Sequence, residues 1–149
     1  MKYVLGILFL LTSVTTQAQT ATDSVKQVVT DLFKAMATSD SVKAEMVFTR
    51  DAIMQSFARN KEGQTIIRTD KPSDFASQIK QTAPGDLDER IEFETVKIDG
   101  NLAMVWTPYK FYYKGKFSHC GVNSFQLVKL NNEWKIQYLI DTRRKAGCE

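Results

Sequence analysis

The chain has 149 residues, 43% of them hydrophobic and 25% charged, with a formal net charge of +3. That length fits one domain around one core. Lys and Arg are interleaved with Asp and Glu, and the one basic cluster, Arg143-Arg144-Lys145, follows the last strand, which disfavours nucleic acid as a partner. No G-x-S-x-G, P-loop or G-x-G-x-x-G pattern is present.

Lys2 precedes an apolar run from Val4 to Leu11, and Thr16-Gln17-Ala18 offers small residues where a signal peptidase reads. This is the layout of a secretory signal peptide. Residues 1–18 are expected to be removed, leaving 19–149 as a single domain that is periplasmic or secreted. The apolar run is less than half of the about 20 residues a bilayer span needs, so no membrane span is expected after cleavage.

The mature chain opens with the clearest periodicity in the sequence. Val25, Val28, Val29, Leu32, Phe33 and Met36 form one apolar helical face, and Ser24 with Gln27 can serve as a capping box. A second short helix is expected from Asp40 to Phe48. Short strands follow at Ile53–Phe57 and Thr65–Thr69, around a turn at Lys61-Glu62-Gly63. Pro72 and Ser73 start a third helix that carries Phe75 and Ile79. Four strands then run in sequence: Arg90–Ile98, Leu102–Tyr113, Phe117–Leu130 and Trp134–Thr142. Turns at Asp99-Gly100-Asn101, Lys114-Gly115 and Asn131-Asn132 make them an antiparallel meander. Segregated helices and strands predict an α+β fold.

The turns set a register. A two-residue loop at Asn131-Asn132 puts His119, Gly121, Asn123, Phe125 and Leu127 on one face with Ile136, Tyr138, Ile140, Thr142 and Arg144. A two-residue turn at Lys114-Gly115 adds Leu102, Met104, Trp106 and Pro108 to that apolar side, with a bulge expected near Thr107–Tyr109, where Pro108 cannot donate to the ladder. Asp141 falls on the outer face. So do Tyr109, Phe111 and Tyr113, which join Val122, Val128 and Leu139 as an apolar surface suited to a homodimer.

The inward face therefore carries Trp106 beside three polar groups, His119, Asn123 and the Tyr138 hydroxyl, the composition of a pocket for a small apolar or aromatic ligand. His119 is the one histidine of the chain and a candidate general acid or base. It cannot build a metal site alone, no carboxylate stands at ligand spacing from it, and neither metal nor cofactor is expected. His119 and Cys120 point to opposite faces and cannot act as a pair. Cys120 and Cys148 fit no zinc or redox motif. Export would permit a disulfide between them if the chain folds back across Arg144–Gly147.

The order of elements resembles the nuclear transport factor 2-like superfamily, and within it the polyketide-cyclase-like and putative lumazine-binding families. The resemblance runs from Val25 to Thr142. It is carried by the first helix with Leu32-Phe33, by Phe48 to Met54, by Trp106-Thr107-Pro108-Tyr109, by Phe117 to Phe125 and by Trp134-Lys135-Ile136. It implies a cystatin-like cone, with about three helices on a strongly curved, mainly antiparallel sheet, a conical pocket and often a dimer through the outer sheet face. Isomerases of the superfamily use a carboxylate base with an acid or phenol as oxyanion donor. The register leaves Asp141 outside and gives Asp51 no place in the pocket. A binding protein is therefore the first reading. A lyase or isomerase using His119 is the second, and a dimeric interaction module with a filled pocket the third.

Overall fold

The structure is a computed structural model that describes residues 13–148. The apolar run of the expected leader lies outside these residues. The first helix, α1 (Ser13–Ala37), crosses Ala18 and Gln19 without a break. It therefore starts earlier than Ser24, whose hydroxyl donates back to the Thr20 carbonyl at 2.8 Å instead of capping. The apolar stripe does what its period demands: Val25, Val29, Leu32 and Met36 are buried, and Val28 and Phe33 pack at its margin.

Helix α2 (Ser41–Met46) starts at Asp40, whose carboxylate accepts from the Lys43 backbone N–H at 3.0 Å. Helix α3 (Pro72–Lys80) begins with its proline in the first turn, where no N–H is missed. It buries Ala76 and Ile79.

Seven strands form one sheet: β1 (Phe48–Arg59), β2 (Thr65–Asp70), β3 (Leu87–Ile91), β4 (Thr95–Asp99), β5 (Leu102–Tyr113), β6 (Lys116–Leu130) and β7 (Glu133–Asp141). Their order is β2-β1-β7-β6-β5-β3, with β4 also paired to β5. The β1–β7 pair is parallel and the remaining pairs are antiparallel. The expected single strand at Arg90–Ile98 is in fact two, β3 and β4, broken at Glu92–Glu94. Both lie along β5, so one long strand serves two short partners.

Two bulges decide what faces the helices. Beside the Lys114-Gly115 turn, Tyr112 pairs with Phe117, as the turn dictates. One step on, Phe111 pairs with His119, leaving Ser118 as an extra residue in β6. Likewise Leu127 pairs with Ile136 while Gln126 pairs with Tyr138, leaving Gln137 extra in β7. A shift of one residue moves a whole strand segment to the opposite face. The expected inward set Leu102, Met104, Trp106 and Pro108 is therefore wrong: Ala103, Val105, Thr107 and Tyr109 are the buried residues of β5, and Trp106 is 39% exposed. Beyond Gln137, Leu139 and Asp141 turn inward and Tyr138 and Ile140 turn out. The bulge lies at Ser118, not near Thr107–Tyr109.

Strand β6 keeps its expected face. Phe125 and Leu127, with Ile136, Leu32 and Ile79, are among the largest fully buried side chains. Each such side chain contributes about 1.5–3 kcal/mol by leaving water. Phe33 of α1 meets Phe125 edge-on, with ring centroids 6.2 Å apart, which docks the first helix on the sheet.

Candidate functional site

Between the helices and the curved sheet lies a cavity of about 260 Å³. Its helical side is largely apolar, with Leu32, Phe33 and Met36 from α1 and Phe75 and Ile79 from α3. Met54 and Leu139 continue this wall on the sheet. Toward the other side polar groups converge: Ser56 on β1, Glu89 on β3, Tyr109 on β5, His119 and Asn123 on β6, and Asp141 with Arg143 at the end of β7.

Asp141 is the hub. Its carboxylate accepts from the Ser56 hydroxyl, from the Tyr109 hydroxyl at 3.3 Å and from Arg143 Nε at 2.8 Å. Arg143 Nη2 also reaches Ser56 Oγ at 3.2 Å and the second Asp141 oxygen at 3.4 Å. The Tyr109 hydroxyl donates to the Thr142 carbonyl as well, at 2.9 Å. Burial pushes the Tyr109 phenol far above its ordinary pKa, and the charges of Asp141 and Glu89 push it further. It is a fixed O–H, and not a source of phenolate.

Tyr109 can lie this close to β6 because its cross-strand partner is Gly121. A Cβ at Gly121 would stand 1.8 Å from the Thr142 carbonyl oxygen and 2.8 Å from a Tyr109 ring carbon. Only glycine fits, and the reason is approach distance.

The second polar station is Glu89 with Asn123, whose side-chain amide donates to Glu89 at 2.8 Å. Burial raises the Glu89 carboxyl to about 7; the Asn123 hydrogen bond opposes this, and Asp141 adds repulsion. His119 sits between Tyr109 and Phe111, at ring-centroid distances of 5.7 and 5.0 Å, with its Nδ1 3.0 Å from the Ser118 hydroxyl. Burial, and then the positive charge of Arg143, hold its pKa below the ordinary value, so the neutral imidazole prevails near neutral pH. Thr107, which stands opposite Asn123 on β5, is fully buried, and its hydroxyl has no partner among the described residues.

His119 and Asn123 thus line the cavity, as the sequence indicated. Trp106 and Tyr138 do not. Trp106 lies on the outer sheet face, and the Tyr138 hydroxyl donates to Gln55 on the neighbouring strand at 2.7 Å. The Ser118 bulge displaced the first and the Gln137 bulge the second. Sequence reasoning missed Glu89, Tyr109 and Asp141. For Asp141 the sequence carried no signal, because Tyr138 and Ile140 are apolar like Leu139 and either alternation reads as a strand. Met104 and Trp106 are as apolar as Ala103 and Val105, so β5 offered none either.

Cys120 and Cys148 are joined by a disulfide, with Cα atoms 5.7 Å apart, on the outer side of β6. The tail that carries Cys148 pairs at Arg144 with Cys120 through two backbone hydrogen bonds of 2.9 and 2.8 Å. Among the described residues no group of His, Cys, Asp and Glu side chains could hold a metal ion. None of their helices is long and apolar enough to cross a membrane.

The fold is shared with many solved structures. A nuclear transport factor 2-like protein of unknown function from Shewanella baltica superposes with a TM-score of 0.65 at 11% identity, covering 91% of this chain and 99% of that one. A domain of unknown function with a cystatin-like fold from Nostoc punctiforme gives 0.66 at 18% identity, over 86% and 80% of the two chains. A protein titled a putative dehydratase of the same superfamily, from Streptomyces avermitilis, gives 0.63 at 11% identity, over 87% and 99%. At these identities the likeness shows the fold. No curated protein matches the chain. The sequence model of the family described as "Putative lumazine-binding" matches residues 20–138. With its cone of three helices on a seven-stranded, mainly antiparallel sheet, the chain has the nuclear transport factor 2-like fold and belongs to that putative lumazine-binding family.

Proposed function

We propose that this chain is an exported protein, periplasmic or secreted, that binds a small, largely apolar or aromatic molecule in the cavity. The observation that carries the reading is the division of the cavity: an apolar wall from α1, α3, Met54 and Leu139 faces converging side chains of Glu89, Tyr109, His119, Asn123 and Asp141. Such walls supply affinity, and a few fixed polar groups supply orientation. Fluorescence of N-phenyl-1-naphthylamine tests the cavity: it should rise on binding and be lost in Leu139→Trp, which fills the wall. No enhancement with the parent protein would defeat the reading.

A second reading, a lyase or isomerase, is favoured by one observation. Glu89, with a pKa of about 7, and a neutral His119 both face the cavity near the protonated Tyr109 phenol, so a base and an acid are poised near neutral pH. Its signature would be protein-dependent solvent deuterium exchange into a bound carbon acid, lost in His119→Gln or Glu89→Gln.

The outer sheet face supports a homodimer. Trp106 and Leu102 on β5 and Ile53 and Phe57 on β1 are 39 to 52% exposed there. A monomer would leave that apolar surface in water. Light scattering should give twice the protomer mass, and a monomer at micromolar concentration would end the idea.

A further inference from the structure

Glu89 differs from the other acids of the cavity. Asp141 is paired with Arg143 and Asp70 with Arg68, whereas among the described residues no salt bridge includes Glu89. Its one hydrogen bond comes from the uncharged amide of Asn123.

The groups that could compensate it are otherwise engaged. Arg143, the guanidinium whose charge it feels, directs Nε and Nη2 to Asp141 and Ser56. Around Glu89 the cavity wall carries Asn123 and the neutral ring of His119 from β6 and the protonated phenol of Tyr109 from β5. Among the described residues, α1 and α3 bring no charged side chain to the cavity wall, and the charges facing the cavity are two ion pairs and one carboxylate, an excess of one negative charge. Burial opposes that charge, which is why the carboxyl holds its proton up to about 7. Phe33, Phe75 and Phe111 line the same space, and the faces of such rings attract cations.

We propose that the cavity takes an aromatic ligand carrying a single positive charge, a protonated amine, with its ammonium on Glu89 beside Asn123. This rests on the binding reading above and names the chemistry of the ligand. An anion would meet Glu89 and Asp141, and both guanidiniums of the cavity already face carboxylates of their own. A neutral molecule would leave the excess charge unmatched, whereas an ammonium cancels it and finds aromatic walls around its apolar part.

Titration calorimetry with three matched probes tests the proposal: 2-phenylethylammonium, 2-phenylethanol and 3-phenylpropanoate. Near pH ~8 the ammonium should bind about tenfold more tightly than the alcohol, with the propanoate weakest. Lowering the pH to about 5.5 protonates Glu89 while the amine stays charged, and the ammonium should lose about tenfold in affinity while the alcohol does not. Glu89→Gln keeps an acceptor for Asn123; it should abolish both the preference and the pH dependence, so that ammonium and alcohol bind alike. Equal binding of ammonium and alcohol, or an unchanged ammonium affinity in Glu89→Gln, overturns the inference while the occupied cavity stands. Binding of none of the probes overturns the inference, and the fluorescence test then decides the cavity by itself.

Discussion

Strand β6 and its two neighbours answer the same turns differently. In β6 the odd-numbered positions from His119 to Leu127 face the helices, as hairpin counting indicates. In β5 and the second half of β7 the same counting selects the wrong face. Each neighbour is joined to β6 by a two-residue turn whose first pairs keep the expected register. Each then meets a single inserted residue, Ser118 or Gln137, and slips by one. A turn thus fixes register only as far as the next bulge. What lies beyond is set by which side chains the helices need to cover, and Thr107, Tyr109, Leu139 and Asp141 are all inward for that reason.

The largest expected effect falls where β5, β6 and the end of β7 approach most closely, at Gly121→Ala. The added carbon strikes backbone, which cannot swing aside, so it should destabilise by about 3 kcal/mol or more and shift Tyr109 off Asp141. Denaturant unfolding measures the cost, and a change under about 1 kcal/mol would contradict the close approach.

Glu89→Gln sharpens the comparison at the cavity itself. A carboxyl whose pKa rises from 4.5 to about 7 on folding binds more protons in the native than in the unfolded state, so its contribution weakens as pH climbs through that window. Relative to the parent, Glu89→Gln should gain about 2 kcal/mol between the lower and upper ends of the window, less than the full shift because the carboxyl is only partly buried. His119 acts in the opposite sense. Its lowered pKa makes the native state bind fewer protons just below the ordinary value, so its contribution grows as pH rises there. An NMR titration of the single imidazole should find its pKa below about 6.5, and a ring titrating as in free peptide would remove it from the cavity. His119→Gln should leave the fold intact and weaken the bound probe. Smallest of all should be Tyr138→Phe, which loses one hydrogen bond to Gln55, worth about 1 kcal/mol, and leaves probe affinity unchanged.

Much of the fold was legible because its signals are local. The stripe Val25–Met36, the proline that opens α3 and the glycine and asparagine turns each declare an element within a few residues. The site was legible only along β6. Asn123 and His119 could be placed because that strand keeps one alternation through the cavity, while Tyr109 and Asp141 lie past bulges that no glycine or proline announces. Glu89 was hidden for another reason: β3 is short and set off by the break at Glu92–Glu94, so no turn ties its register to β5.

The Cys120–Cys148 bridge closes a loop with a sequence separation of 28 residues. Asn123, Asp141 and Arg143 all lie within that loop. In the chain-entropy view, closing it restricts the unfolded chain by about 3–4 kcal/mol. Three of the cavity's polar residues would therefore share one covalent ring even after denaturation, while Ser56, Glu89 and Tyr109 would disperse. Reduction would relax the ring and release the strand end that aims Arg143 at Asp141. The Asp141–Arg143 ion pair, and not the apolar wall, is where the oxidation state of this protein should be felt.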